Sequence, residues 1–373
     1  MLSDGPGDTT QTRRLDAAPF EMVAVTWHGP AAPGVEVRTR SVGSWSHWKP
    51  LDLVAEHAPG SARAGSSQPE DLRATELLWV GHSDGVQVRL DAAPGSGARV
   101  LLLDADRLPS DDRTPAAPSV GNLDRAPRGA SKTSEATDAP QPNILSRSAW
   151  GADESWRTGD PVYTDTIKQA HIHHTAGSND YTRADVPVII RGDYWYHTQV
   201  LGWADLGYNF VVDKFGRIWE GRAGGIDRPV RGAHTLGFNH DSFGVAAVGE
   251  YGATAPSSEL VDALVRLTAW KLDAYNRKPS GEVRMWSAGS DRYPEGTWVR
   301  LPVIDGHRDT NQTECPGDKL YAKLPDIRRR AQARADGVPA AAESPAPGDA
   351  PAPGDAPAPG GSPAPGGSQA SVG

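Results

Sequence analysis

Short apolar stretches separated by Gly-, Pro- and Ser-rich turns dominate the first third of the chain. They lie at residues 21–27, 35–40, 77–80, 86–90 and 100–103, and several alternate apolar with polar positions. Alternation over such lengths predicts β-strands with one buried face. We therefore expect a small all-β, sandwich-like accessory domain over residues 18–107. Its tryptophans, Trp27, Trp45, Trp48 and Trp79, are either core residues or a platform for stacking on sugars.

The pattern changes between residues 143 and 333. Residues 170–174, 210–213 and 244–249 predict strands, whereas 185–199, 258–275 and 325–333 predict helices. The helical prediction rests on spacing, since Leu260, Leu264 and Leu267 recur every three or four residues. Helices interspersed with strands indicate an α/β domain with a mixed central β-sheet flanked by helices.

Three segments lack such periodicity. Residues 1–17 predict a disordered N-terminus, and 108–142 a flexible linker long enough to let the two domains move independently. The tail, 334–373, repeats PAPGDA at 345 and 351 and PAPGGS at 357 and 363. Pro/Gly repeats of this kind form extended, solvated spacers, which suit a protein that works at a cell wall.

Charge and composition narrow the functional classes. A formal net charge of −9 argues against a nucleic-acid partner. No apolar run approaches the roughly 18 residues of a membrane-spanning helix, and the N-terminus has no apolar signal core. The N-terminus alone would suggest a cytoplasmic protein, but the tail and the substrate argued below favour a mature, secreted or wall-associated monomer whose export signal has been removed. The single cysteine, Cys315, is either a small buried residue or a metal ligand.

Candidate metal ligands occur in three segments, QAHIHHTAG (169–177), RGAHTLGFN (231–239) and VIDGHRDTNQTECPGD (303–318). His307 and Cys315 lie eight positions apart across a polar loop that follows an apolar strand. With one histidine of the 170–174 strand they form a His₂Cys set, which zinc favours and which leaves a fourth position for water. Strand alternation leaves the first ligand open, because His171 and His173 share a face that His174 does not.

Five motifs in order resemble the peptidoglycan recognition protein and N-acetylmuramoyl-L-alanine amidase type 2 family, which includes phage-lysozyme-like zinc amidases. They are SRSAWGA (146–152), IHHTAG (172–177), GWADLGYNFVVDKFGRIWEGR (202–222), GAHTLGFNHDSFGVAAVGEY (232–251) and GHRDTNQTECPGDKLY (306–321). The resemblance extends over about half of the chain, from 144 to 330. A further stretch, 286–300, resembles an insertion near the site of secreted bacterial members.

The resemblance implies a zinc site formed by His173, His307 and Cys315. Members that only bind peptidoglycan usually lack the cysteine, so its presence implies a hydrolase. Tyr208 matches the active-site tyrosine, and Thr313 matches a residue that faces the zinc-bound water. Three further positions match residues that line the substrate cleft: Trp203, His234 and Asn239. No Glu or Asp matches a dedicated general base, and Asp309 is a candidate for orienting His307.

We therefore expect zinc-dependent hydrolysis of the amide bond between N-acetylmuramic acid and L-alanine in peptidoglycan. One alternative is a module that recognises peptidoglycan without cutting it. Another is a structural adaptor of the cell wall, in which the β domain and the Pro-rich tail carry the function. We also expect residues 18–107 to be dispensable for the chemistry, so that a chain starting near Asn143 keeps full activity on a soluble muropeptide.

Overall fold

The structure is a computed structural model that describes residues 2–4, 10–30, 33–54, 71–93, 96–113 and 139–337. Most of the expected linker and nearly all of the Pro-rich tail lie outside these ranges. The described part of the chain contains no helix that is long and apolar enough to cross a membrane.

An all-β domain occupies the N-terminal part, as expected, and its strands pair antiparallel throughout. Its strands are β1 (Leu2–Asp4), β2 (Thr10–Thr12), β3 (Leu15–His28), β4 (Val35–Ser41), β5 (Ser44–Trp45), β6 (Lys49–Leu51), β7 (Leu72–Ala74), β8 (Leu78–Leu90) and β9 (Ser96–Leu103). The disorder expected for residues 1–17 is wrong for β1 and β2, because β2 extends the sheet by pairing with β8.

The long strand β3 is buried on both faces between Phe20 and Val25. Val23 and Val25 point into the core of their own domain. Met22 and Ala24, on the opposite face, belong to a second apolar cluster that includes residues of the following domain. A strand with period-two alternation can face two cores at once.

Two of the four tryptophans are buried and two are half-buried. Trp27 lies in the core of the β domain, and Trp79 is buried against the following domain. Trp45 and Trp48 are half-buried, and the guanidinium of Arg38 lies 5.3 and 4.8 Å from their ring centres. Contacts of this kind stabilise exposed aromatic rings through cation–π attraction. The interpretation of Trp45 and Trp48 as a sugar platform stays a prediction.

The second domain is an α/β domain with a mixed six-stranded sheet in the order β10-β13-β12-β14-β11-β17, which confirms the predicted fold class. The strands of this sheet are β10 (Ile144–Leu145), β11 (Gln169–His174), β12 (Phe210–Val212), β13 (Ile218–Glu220), β14 (Ser242–Ala247) and β17 (Ile304–Gly306). Two further strands, β15 (Glu282–Trp286) and β16 (Trp298–Pro302), pair antiparallel in a separate two-stranded sheet. The helices are α1 (Asp185–Trp195), α2 (Ser258–Asp273), α3 (Asp318–Tyr321) and α4 (Leu324–Ala335). A π-helical turn, Tyr196–Val200, follows α1 directly.

The two faces of the central sheet have different partners. Apolar side chains of α2 and α4 pack on one face, against residues such as Ile172 and Val245. The other face carries Val211 and Trp219, which pack with α1 and with the N-terminal domain. Because side chains alternate along β11, the neighbours of Ile172 point toward this second face. That alternation places His171 and His173 on the side opposite α2.

The two domains share a buried interface, so the prediction that they move independently is wrong. Helix α1 approaches β3 so closely that a Cβ atom at Gly192 would collide with the Met22 side chain. The Arg191 guanidinium pairs with the buried carboxylate of Asp111, at 2.7 Å, just after the β domain. The start of the expected linker is therefore packed against the second domain rather than free.

This buried ion pair predicts a large effect on stability. Replacing Asp111 by alanine leaves the Arg191 charge buried without its carboxylate, which should lower the free energy of unfolding by about 3–5 kcal/mol. Denaturant unfolding of both proteins measures the difference. The matched control is Glu282→Gln, which breaks the exposed pair with Arg300 and should cost at most about 1 kcal/mol. Equal losses in the two variants would contradict an interdomain role for Asp111.

Candidate active site

Parallel pairing of β11 with β17 brings the candidate metal ligands together. Ile172 lies opposite Gly306, so His173 and His307 occupy neighbouring strand ends at the carboxyl edge of the sheet. The loop after His307 then turns back, held by a 3.0 Å hydrogen bond from the Arg308 amide to the Cys315 carbonyl. One ligand atom each from His173, His307 and Cys315 lies within 4.8 Å of the others.

The chemistry of this donor set fits a zinc ion. Burial, with a smaller contribution from His171, lowers the pKa of His307 to about 3, and burial also holds the pKa of His173 well below its usual range. Both imidazoles are therefore neutral and can act as ligands. Nε2 of His307 is buried without a hydrogen-bond partner among the described residues. A buried nitrogen of this kind is costly unless it binds a cation or a proton donor.

The thiol of Cys315 completes the set and lies 3.8 Å from Nδ1 of His173. Burial raises the pKa of this thiol well above its usual range, although the His174 amide donates to its sulfur. Without a cation the group is therefore a neutral thiol. Zinc coordination deprotonates a thiol, so metal binding at this site should release a proton.

The two other histidines of β11 have different partners. His171 shares a face with His173 but contacts Asp305, with Nδ1 2.6 Å from the carboxylate. His174, at the end of the strand, lines the cleft, and its Nε2 lies 3.7 Å from the carboxylate of Asp52 in the N-terminal domain. His173 is the histidine of this strand whose nitrogen groups with those of His307 and the Cys315 sulfur, and its role as a zinc ligand stays a prediction.

His234 lies beside the candidate ligands, with Nδ1 3.1 Å from Nε2 of His173. One of these nitrogens must donate and the other accept, so this contact orients the His173 ring. His234 fits there because a glycine underlies it, since a Cβ atom at Gly244 would collide with the imidazole. His234 also lines the cleft, where it can meet a substrate.

The other two predicted substrate contacts differ in position. Trp203 lines the cleft and stacks on His197, with ring centres 4.4 Å apart. Asn239 is buried beneath the cleft-lining loop, and its side-chain oxygen accepts hydrogen bonds from the amides of His234 and Thr235. Asn239 therefore holds the loop in place and does not line the cleft.

Tyr208 and Thr313 both line the cleft, as the resemblance implies. The Tyr208 ring centre lies 5.3 Å from that of His173. Burial, and then the Glu76 carboxyl group, raise the pKa of Tyr208 well above its usual range, so its hydroxyl remains a donor. Thr313 accepts a 3.1 Å hydrogen bond from the Cys315 amide, which leaves its own proton available to another acceptor.

Asp309 does not orient His307, so that prediction is wrong. Its carboxylate accepts hydrogen bonds from the Gly306 amide, at 2.9 Å, and the Tyr321 hydroxyl, at 2.6 Å. The side chain caps the turn that begins at His307, because a carboxylate at the third position satisfies a free amide at the turn's start. The proximity of Asp309 to His307 in sequence predicted the correct loop but the wrong hydrogen-bond partner for the Asp309 carboxylate.

The expected insertion, 286–300, does lie against the ligand loop. It joins β15 to β16, and the Asp291 carboxylate accepts hydrogen bonds from Asn311 and Gln312. The Ser290 hydroxyl donates to the Thr310 carbonyl at 2.8 Å. These bonds restrain the segment between His307 and Cys315.

Three residues of the N-terminal domain that line the cleft could not be predicted from the sequence. They are Asp52, Leu53 and Glu76, which line the same cavity as His307 and Cys315. They lie far in sequence from the motifs, and no local pattern surrounds them, so the sequence did not indicate that they line the cleft. Only the packing of the two domains brings them to the site.

Comparison with known proteins finds a matching family model for each of the two domains. Residues 163–318 match the family described as N-acetylmuramoyl-L-alanine amidase, and residues 3–123 match one described as Rv3811 N-terminal galactose-binding domain-like. Peptidoglycan-recognition protein SC2 of Drosophila melanogaster is 30% identical over 181 residues, which cover 48% of this chain and 84% of the relative.

A human protein named N-acetylmuramoyl-L-alanine amidase is 33% identical over 201 residues, or 52% of this chain and 30% of the relative. Among solved structures, Drosophila PGRP-LB is 26% identical, with a TM-score of 0.39 and coverage of 49% of this chain and 92% of that one. The chain belongs to the family of peptidoglycan recognition proteins and N-acetylmuramoyl-L-alanine amidases, which contains both catalytic amidases and non-catalytic recognition proteins.

Proposed function

We propose that this protein hydrolyses the amide bond between N-acetylmuramic acid and L-alanine in peptidoglycan, with zinc held by His173, His307 and Cys315. The observation that carries the proposal is the nitrogen–nitrogen–sulfur donor set of buried His173 and Cys315 and partly buried His307, which includes the unpartnered Nε2 of His307 and opens on a cleft. Three protein ligands leave one position open, which is typical of catalytic rather than structural zinc.

The choice of hydrolase over pure recognition rests on Cys315. Family members that only bind peptidoglycan usually lack this cysteine, whereas here it lies within reach of both histidines. Zinc in such a site supplies Lewis acidity, which polarises a carbonyl group and activates water near neutral pH. The proposed substrate also suggests where the protein works, at the cell wall or outside the cell.

The residues around the ligands have complementary roles in this proposal. Tyr208 donates its hydroxyl proton in a hydrogen bond to the scissile carbonyl oxygen as negative charge develops there. Thr313 holds the Cys315 amide and presents its own proton to the cleft. His234 keeps the His173 ring in position, so the ligand does not have to reorganise when substrate binds.

Chelation followed by restoration of the metal tests this proposal. Protein treated with a chelator should lose the ability to release free stem peptide from a soluble muramyl peptide, and one equivalent of zinc should restore it. Magnesium should not restore activity, because it prefers oxygen ligands. Activity that survives complete removal of the metal would contradict the zinc mechanism.

A further inference from the structure

The N-terminal domain forms one wall of the cleft that holds the candidate zinc ligands. Asp52 and Glu76 are the acidic side chains that line it among the described residues, opposite Tyr208, His307 and Cys315. The two segments that carry them are bonded to each other, since the Glu76 amide donates to the Asp52 carbonyl at 2.7 Å. This wall therefore brings carboxyl groups to a cleft whose described lining residues from the second domain carry none.

The backbone at Glu76 is held from both domains. Its neighbour Thr75 donates its amide proton to Val25 of β3, at 2.9 Å, and its hydroxyl proton to the Glu76 carbonyl, at 3.1 Å. From the second domain, the buried Tyr196 hydroxyl donates to the Thr75 carbonyl at 2.6 Å. The backbone that carries the Glu76 side chain is therefore fixed in the cleft wall by bonds from both domains.

The carboxyl group of Glu76 is free of such bonds. It makes no hydrogen bond or ion pair with another residue in the described part of the chain, whereas the Asp52 carboxylate lies 3.7 Å from the His174 ring. Glu76 is only partly buried, so its carboxyl group is exposed to the cleft that it lines. Of the two acids, Glu76 is therefore the one available to a substrate.

The surroundings of Glu76 favour its protonated form. Burial first, and then the Asp52 carboxylate, raise the pKa of Glu76 to about 8. Four other groups interact electrostatically with the Glu76 carboxyl group, and all four are acidic or neutral at pH 7. They are Asp193, Tyr196, Tyr208 and Cys315. Two histidines, His174 and His307, interact with the neighbouring Asp52 carboxylate. Near neutral pH the Glu76 carboxyl group consequently carries a proton that it can give away.

We infer that Glu76 of the N-terminal domain is the proton donor for the departing amine, so that the active site is completed by both domains. The inference rests on the proposed amidase function. As the carbonyl carbon–nitrogen bond breaks, the bonding pair stays on the nitrogen, which takes the proton of the Glu76 carboxyl group. The attacking water supplies the oxygen of the new carboxyl group, and one of its protons returns to Glu76. Water and amide are thus consumed, and an acid and an amine are formed.

Replacement of Glu76 by glutamine in the full chain tests the inference. Glutamine has nearly the same shape but no proton to give, so kcat on a soluble muramyl peptide should fall about 10²–10⁴-fold. KM and zinc content should change little. The matched control is Glu36→Gln, which alters a carboxylate of the same domain that pairs with Arg89 and does not line the cleft. This control should keep wild-type kcat.

The pH profile separates proton donation from a merely structural role. Wild-type activity should decline as the pH rises above about 8, because Glu76 then loses its proton. This decline should be absent from the residual activity of Glu76→Gln. In Glu76→Asp, which keeps a shorter acid, the decline should persist at a lower rate. If Glu76→Gln does not fold, the aspartate variant and the wild-type profile still decide the point.

Two results would overturn the inference. One is an active wild-type enzyme whose kcat is matched by Glu76→Gln. The other is a decline at alkaline pH that is the same in both proteins. A wild-type protein that binds zinc but cuts no muramyl peptide would instead contradict the proposed function.

Discussion

Replacing Cys315 by serine is expected to remove bound zinc and abolish hydrolysis. The thiolate is the softest of the three donors, and a serine hydroxyl cannot replace it near neutral pH. Loss of an outer partner of a zinc ligand already costs about 10–100-fold in metal affinity, so loss of a direct ligand should cost more than about 100-fold. Elemental analysis and competition with a coloured chelator measure the change, and His307→Ala should behave in the same way.

The fold should tolerate the exchange, because serine is close to cysteine in size and the residue is buried in a loop tied down at both ends. A suitable control is His240→Ala, which removes an exposed histidine that does not line the cleft. The control should bind zinc like the wild type. Unchanged zinc content in both Cys315→Ser and His307→Ala would show that the metal, if present, is bound elsewhere.

Replacing Tyr208 by phenylalanine should lower kcat about 10²–10³-fold and leave zinc content unchanged. The expected loss is the typical cost of removing one hydrogen-bond donor to a developing oxyanion. KM should change little, because this bond strengthens only in the transition state. Thr313→Ala should show a smaller loss, because the metal remains the principal ligand of the oxyanion.

Tyr163→Phe provides the matched control for this exchange. Its hydroxyl donates to the Gly224 carbonyl, at 3.0 Å, and lies outside the cleft. Steady-state kinetics on one soluble muramyl peptide compares the variants directly. If Tyr208→Phe and Tyr163→Phe had the same kcat as the wild type, Tyr208 would not be a donor in the transition state.

Local sequence patterns predicted much of the fold. The leucines of α2 keep helical spacing, and this helix ends two residues before the expected boundary. Two expected strands proved to be one, because β8 continues through residues 81–85. Gly81, with φ of 71°, and Ser83 resemble a turn in sequence, but the strand absorbs them through a shift of register against β3.

The residues of the candidate site could be predicted where they belong to one of the sequence motifs. His173, His307 and Cys315 come from segments far apart in sequence, and the parallel pairing of β11 with β17 brings them together. Periodicity could not choose between His171 and His173, which share a face. The two histidines differ in their partners, because His171 contacts the fully buried carboxylate of Asp305.

The interface between the domains could not be predicted from either domain alone. Met22 and Ala24 resemble ordinary residues of a buried strand, and nothing local shows that their face is covered by another domain. Glu76 immediately precedes an apolar stretch, where one acidic residue indicates only a strand end. Composition indicated a free linker, whereas Asp111 anchors its first residues to α1.

Mass spectrometry of muropeptides after digestion of purified sacculi tests the central claim most directly. Cleavage at the proposed bond should release stem peptides with a free L-alanine amino terminus and leave glycan strands that carry unsubstituted muramic acid. The zinc-free protein and Cys315→Ser should release none. New reducing sugar ends, or peptides cut at any other bond, would contradict the assignment of this protein as an N-acetylmuramoyl-L-alanine amidase.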